Sequence, residues 1–152
     1  MGRPEGPGCY CAANSLAKQS IETLKQNYAY VVADNEAGME HMSRLVTQDV
    51  DHLYVISDAA PRGILTAARI IEIINELHLN IRHVHIIINR SKGGEEENLI
   101  KTASDRHMTI DGIIRYDEEL AKNDAEGKPI FTLPLHAAAL ADAYEIFRRT
   151  LA

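Results

Sequence analysis

The segment "HLYVISDAAPRGILTAARIIEIINELHLNIRHVHIIIN", residues 52–89, constrains the fold more than any other part of the chain. Two short apolar runs rich in β-forming residues, Leu53 to Ser57 and Val84 to Asn89, enclose a helical pattern. In that pattern Ile64, Ala67, Ala68, Ile71 and Ile74 share one stripe, and Pro61 stands just ahead of the start. Strands joined through a helix run parallel, and the crossover is right-handed. Runs that are apolar on both faces predict strands buried inside a covered sheet.

The pattern recurs on either side. Residues 13–28, "ANSLAKQSIETLKQNY", predict a helix carrying Leu16, Ile21 and Leu24, with Asn14 or Ser15 as its cap. "YAYVVADNEAG" predicts a strand ending at Asp34, and "TIDGIIR" predicts another ending at Arg115. Helices are expected over Asn98 to Arg106, over "DEELAKNDAEG" with Gly127 closing it, and over "PLHAAALADAYEIFRRTLA" with Pro134 near the first turn. Strands alternating with helices give an α/β fold of three layers, a mostly parallel sheet with helices on both faces. A chain of 152 residues is expected to form a single domain, 1–152.

Composition narrows the function. A net charge of -6 without a basic cluster argues against nucleic acid as a ligand. No apolar run approaches bilayer length, so no membrane association is expected. "MGRPEGPG" has no apolar signal core, which predicts a cytoplasmic protein.

In open parallel sheets, ligands bind outside the carboxyl ends of the strands. There Asp34, followed by small residues and Gly38, has the arrangement that holds Mg2+ or its water shell, though Asp and Gly also end strands in ordinary turns. Asn89 and Arg90 close a strand where an amide can read a purine edge, or where Asn forms a turn. Glu95, Glu96 and Glu97 suit the solvated first turn of a helix. His83 and His85, two apart, share one strand face, a spacing that suits a metal or a partly buried pair.

Cys9 and Cys11 are the only cysteines and have Tyr10 between them, too short a ring for a relaxed disulfide. Either they are free thiols, or two such pairs in a symmetric dimer complete a four-ligand site.

Taken in order, "GCYCAANSLAKQSIETL", "YVVADNEAGMEHMSR", "DHLYVISDAAPRGILTAARII", "HVHIIINR" and "IIRYDEELAKNDAEGKPIFTL" resemble the carboxyl-terminal portion of the nickel-insertion ATPases of carbon monoxide dehydrogenase. That family is grouped with the nitrogenase iron protein and the septum-site and partition ATPases, all with a deviant Walker A loop. The resemblance implies a P-loop NTPase-like fold and an ATP-dependent metallochaperone using ATP/ADP with Mg2+. It places Asp34 beside Mg2+, with Glu36 to Gly38 as the switch that responds to hydrolysis. It also places Asn89 and Arg90 on adenine, and Arg115, Tyr116 and Asp117 in the loop flanking the base. Cys9 and Cys11 would hold Ni2+ or Zn2+ between the subunits of a homodimer, with carbon monoxide dehydrogenase as client.

The chain departs from the family in one large respect: it contains no G-x-x-x-x-G-K loop. By family topology that loop's strand lies between the one ending in Asp34 and Leu53 to Ser57. Its absence predicts two unpaired strand edges and leaves hydrolysis by this chain alone in question. A non-catalytic metal-binding dimerisation module and a partition or septum-positioning ATPase are the rival readings.

Overall fold

The computed structural model describes residues 11–35 and 49–151. Helix α1 spans Cys11–Asn27. Strand β1 (Asp49–Asp58), helix α2 (Pro61–Glu76) and strand β2 (Asn80–Ser91) form the expected crossover unit. Helix α3 (Glu96–Ser104), strand β3 (Ile110–Arg115), helix α4 (Glu118–Ala125), a 3-10 turn (Ile130–Thr132) and helix α5 (Ala138–Thr150) follow. The sheet is parallel throughout, in the order β1-β2-β3.

The core lies on one face of this sheet. Val55, Ile86 and Ile88 meet Ile64 and Ala67 of α2 and Leu99 and Ala103 of α3. The stripe read from the sequence is therefore the buried one, with Ala68 and Ile71 packed at its margin. Helix α5 covers the other face beside β3, where Ile146 lies on Gly112 and Phe147 meets Tyr54 edge-on. Helices on both faces of a parallel sheet reproduce the expected fold class.

Four expectations about the elements change. Tyr28 to Asp34 forms no strand: the residues are exposed, Val32 at 91%. A strand is held by a neighbour's backbone, and among the described residues nothing pairs with this run or with the outer edge of β1. The sheet therefore has three strands among the described residues, where the sequence pattern suggested four. Asn14 and Ser15 lie inside α1, so neither caps it. Pro134 precedes α5 in a turn, with Ala137 N–H donating to Pro134 C=O at 2.9 Å, and the helix begins at Ala138. Gly127 ends α4 as expected, at φ 65° in the left-handed region that a glycine adopts without strain.

A register shift marks β3. Ile86 pairs with Ile110 and Ile87 with Gly112, leaving Asp111 as an extra residue. Its Oδ2 accepts the Ile86 N–H at 2.9 Å, so the donor at the irregularity is satisfied.

Candidate functional site

The carboxyl ends of β1, β2 and β3 lie side by side, with Asp58 in register with Asn89 and Ser91 with Arg115. Beyond β2 the chain turns through Arg90 at φ 59°, then through Gly93 and Gly94 at φ 87° and 84°. The two glycines are required because side chains are strained there. Buried Ser91 fixes the turn: its hydroxyl accepts from Gly93 N–H at 3.3 Å and donates to Glu96 at 3.1 Å. Hydrogen bonds from Glu96's own backbone N–H and from Ser91 hold the Glu96 carboxyl below its ordinary range.

Asn89 stands at the end of β2, half-buried, with its side-chain oxygen accepting from Arg90 N–H at 2.9 Å. Its amide nitrogen makes no hydrogen bond among the described residues. Arg90 extends into solvent, its Nη2 at 3.9 Å from Asp124.

The segment after β3 is tied in through Tyr116 N–H, which donates to Ser91 C=O at 2.7 Å. Lys92 Nζ lies 5.1 Å from the centre of the Tyr116 ring, which leaves a cation over an exposed aromatic face. The two residues flanking Tyr116 are committed to structure. Arg115 makes a two-pronged pair with Asp142, both contacts at 2.8 Å. Asp117 caps α4 by accepting from Glu119 and Leu120 N–H at 2.9 and 3.0 Å. Its other oxygen accepts from Ala139 N–H in the first turn of α5 at 3.2 Å. These bonds, Leu120's foremost, lower the Asp117 carboxyl.

Beside β1, a shallow groove of about 190 Å³ is lined by Ile56, Ser57, Asp58, Gly63, Thr66 and Ile70, among others. Gly63 is required where α2 starts, because a Cβ there would meet Ser57 Oγ and come within 2.6 Å of Asp58 Oδ1. Asp34 is exposed at the end of the irregular segment after α1. Glu36, Gly38 and Cys9 lie outside the described residues. Cys11 is the first residue of α1, and its side chain is outside the described set.

The structure thus gathers Asn89, Arg90, Arg115, Tyr116 and Asp117 at one end of the sheet. With them stand Lys92, which belongs to the strand-end run Asn89 to Lys92 expected to face a ligand, and Asp142, which the sequence reading did not single out. Lys92 directly follows the strand end; Asp142 gave no local signal, being 27 residues from Arg115. His83 and His85 do share a face, joined by His52 from β1, in register with His83. Among the described residues no group of three or more His, Cys, Asp or Glu is arranged to hold a metal ion.

No protein-family model matches the chain. It is 42% identical over 134 residues to an uncharacterized ATP-binding protein of Methanocaldococcus jannaschii, a match covering 88% of this chain and 53% of the relative. The septum site-determining protein MinD of Bacillus subtilis is 28% identical over 82% of this chain and 48% of its own length. The carbon monoxide dehydrogenase accessory protein CooC of Rhodospirillum rubrum is 26% identical over 84% and 48%. The relatives of this chain thus include proteins named as ATP-binding and as MinD. The fold agrees. The MinD cell division protein of Aquifex aeolicus superposes with a TM-score of 0.74 at 21% identity, over 91% of this chain and 60% of that one. A ParA family ATPase from Chlorobium tepidum gives 0.72 at 16% identity, over 98% and 62%. The chain spans about half the length of the curated relatives it matches.

No helix among the described residues is long and apolar enough to cross a membrane.

Proposed function

We propose that the chain supplies the base-binding part of an ATP-binding protein, with the nucleotide base lying over the ends of β2 and β3. The observation that carries this reading is that the strand end bearing Asn89 is followed directly by Lys92, which lies over the Tyr116 ring at the end of β3, on a fold whose relatives include an ATP-binding protein at 42% identity. A purine edge offers the donor and acceptor pair that an amide reads, and an aromatic face accepts its ring. Arg115 and Asp117 act by shaping the loop, since both are occupied by Asp142 and by helix N–H groups. Arg90 extends freely enough to reach a ligand.

The phosphates need a cradle of backbone N–H groups and a lysine, and the chain holds no G-x-x-x-x-G-K segment. We therefore assign this chain base recognition, while phosphate binding and hydrolysis need a loop from elsewhere. Asp34, Glu36 and Gly38 would act there on Mg2+ and its water.

For the cellular role, our reading is an ATP-controlled metallochaperone in which Cys9 and Cys11 of two chains hold one nickel or zinc ion for carbon monoxide dehydrogenase. The cysteine pair and the similarity to CooC support it. The similarity to MinD supports septum positioning as the second reading.

Calorimetry with adenosine and ATP tests base recognition. Binding weakened by Asn89→Ala supports it, and affinity unchanged by that substitution refutes it. Metal analysis tests the second part: about half an equivalent of nickel or zinc per chain is expected, lost in the Cys9→Ser, Cys11→Ser double variant. Metal retained by that variant excludes the thiolate site. Binding to anionic liposomes without metal binding would favour septum positioning.

A further inference from the structure

The opposite half of the sheet carries a second cluster that the nucleotide reading does not use. On the face covered by α5, His52 of β1 pairs in register with His83 of β2, and Tyr54 with His85. The rings stack across the strands, with centroids 4.9 Å apart for His52 and His83, 5.3 Å for His52 and His85, and 4.9 Å for Tyr54 and His85. His52 Nδ1 lies 3.0 Å from His85 Nε2, and His85 Nδ1 lies 3.5 Å from Asp111 Oδ1. One chain of contacts therefore crosses all three strands.

Its far end is anchored to α5. Tyr54 hydroxyl and Thr150 hydroxyl are 2.7 Å apart, Arg149 donates to Asp111 C=O, and Phe147 meets Tyr54 edge-on. The charged groups facing the cluster are few. From β1 comes Asp51, paired at 2.8 Å with Arg82 of β2; from β3 comes Asp111; from α5 comes Arg149.

The protonation state decides whether this chain holds. With His85 Nδ1–H turned to Asp111, His85 Nε2 carries a lone pair and His52 Nδ1–H donates to it. A proton added at His52 Nε2 makes that ring a cation stacked 4.9 and 5.3 Å from the His83 and His85 rings, where burial and the neighbouring imidazoles oppose the charge. A further proton on His85 Nε2 sets two N–H groups against each other at hydrogen-bond distance, between two cations. We propose that His52, His85 and Asp111 form a proton-sensitive clasp that secures the end of α5 to the sheet while neutral and releases it on acidification.

The His52 imidazole is already held below its ordinary value, by burial first and then by His83 and His85. For a histidine whose folded pKa is depressed, the unfolded chain binds the proton first. Stability is therefore full above about pH 6.5 and falls as pH drops below it.

The test is thermal unfolding of the 152-residue chain at about pH 7.5 and about pH 5.5, a window above most carboxylate titration. Wild type should melt at a lower temperature at the acid pH than at the neutral one. His52→Gln should remove most of that loss. His83→Gln, at an exposed ring that the contact chain does not include, should still unfold cooperatively, and NMR should show His52 titrating closer to its ordinary value there. Amide exchange at Thr150, corrected for intrinsic pH dependence, should speed up on acidification in wild type. Parallel melting profiles for wild type and His52→Gln, or Thr150 exchange that ignores pH, would each overturn the proposal.

Discussion

Arg115 grips Asp142 with two parallel contacts, Nε to Oδ2 and Nη2 to Oδ1, each 2.8 Å long, and its backbone N–H donates to the same Oδ2 at 3.0 Å. Three donors on one carboxylate fix the last residue of β3 to α5 at the point where the proposed base site begins. The Arg115 side chain, first of these influences, lowers the Asp142 carboxyl below its ordinary value. A depressed carboxylate contributes stability that is present above the ordinary carboxylate range and is lost as pH falls through the lower folded value. Asp142→Asn should therefore melt earlier than wild type at neutral pH. The gap should narrow as both are acidified toward about pH 3, which a pair of denaturation series measures. A gap that stays constant with pH would mean the charge on Asp142 contributes nothing.

Asp117 links two helices through a single side chain, one oxygen on α4 and the other on α5. Asp117→Ala should lower Tm and speed amide exchange at Glu119, Leu120 and Ala139 together, because one group serves all three donors. Asp117→Asn should keep the α4 cap, since asparagine caps helices about as well, and lose the bond to Ala139, because the amide NH2 that replaces the second oxygen cannot accept. Exchange changes confined to α4 would show that the contact with α5 does not hold that helix.

Where the sequence was legible, one element carried its own signal. The stripe of α2 and the double-sided apolar run of β2 are local periodicities, and both appear as read, with Ile64, Ile87 and Ile88 almost completely buried. Tyr28 to Asp34 had the same local signal and forms no strand, because a strand depends on a neighbouring backbone that its own residues cannot supply. The site divides in the same way. Asn89, Arg90 and Arg115 to Asp117 follow from the position of strand ends, whereas what Arg115 and Asp117 bond to is decided 27 and 22 residues away. His52 and His85 are 33 apart and meet only through register, so the histidine chain was visible as no more than the pair His83 and His85.

Gly63 sets the distance between the start of α2 and the end of β1. A methyl group there would be driven against Ser57 Oγ, Asp58 Oδ1 and the Asp58 carbonyl, two of these contacts with groups that have little room to move. Gly63→Ala should cost about 1–3 kcal/mol by overpacking. It should also displace Asp58, which NMR would register as shifts at Ser57 to Gly63. Full stability with unchanged shifts would mean that the groove beside β1 is wider in solution.

Gly112 is where α5 comes closest to the sheet. A Cβ built on it would lie 2.5 Å from Ile146 Cγ1, and Ile146 is 5% exposed, so its side chain cannot swing into solvent. Gly112→Ala should therefore destabilise the chain by about 1–3 kcal/mol. Ile146→Ala alone should cost about 2–5 kcal/mol through the cavity it leaves. The two lesions are opposite in kind at one contact, an excess of volume and a deficit, so they should compensate. The double variant should be more stable than the sum of the single losses by about 0.5–3 kcal/mol, the coupling seen between residues in contact. Chemical denaturation of the four proteins measures this directly, and strict additivity would place α5 further from β3 than the structure has it.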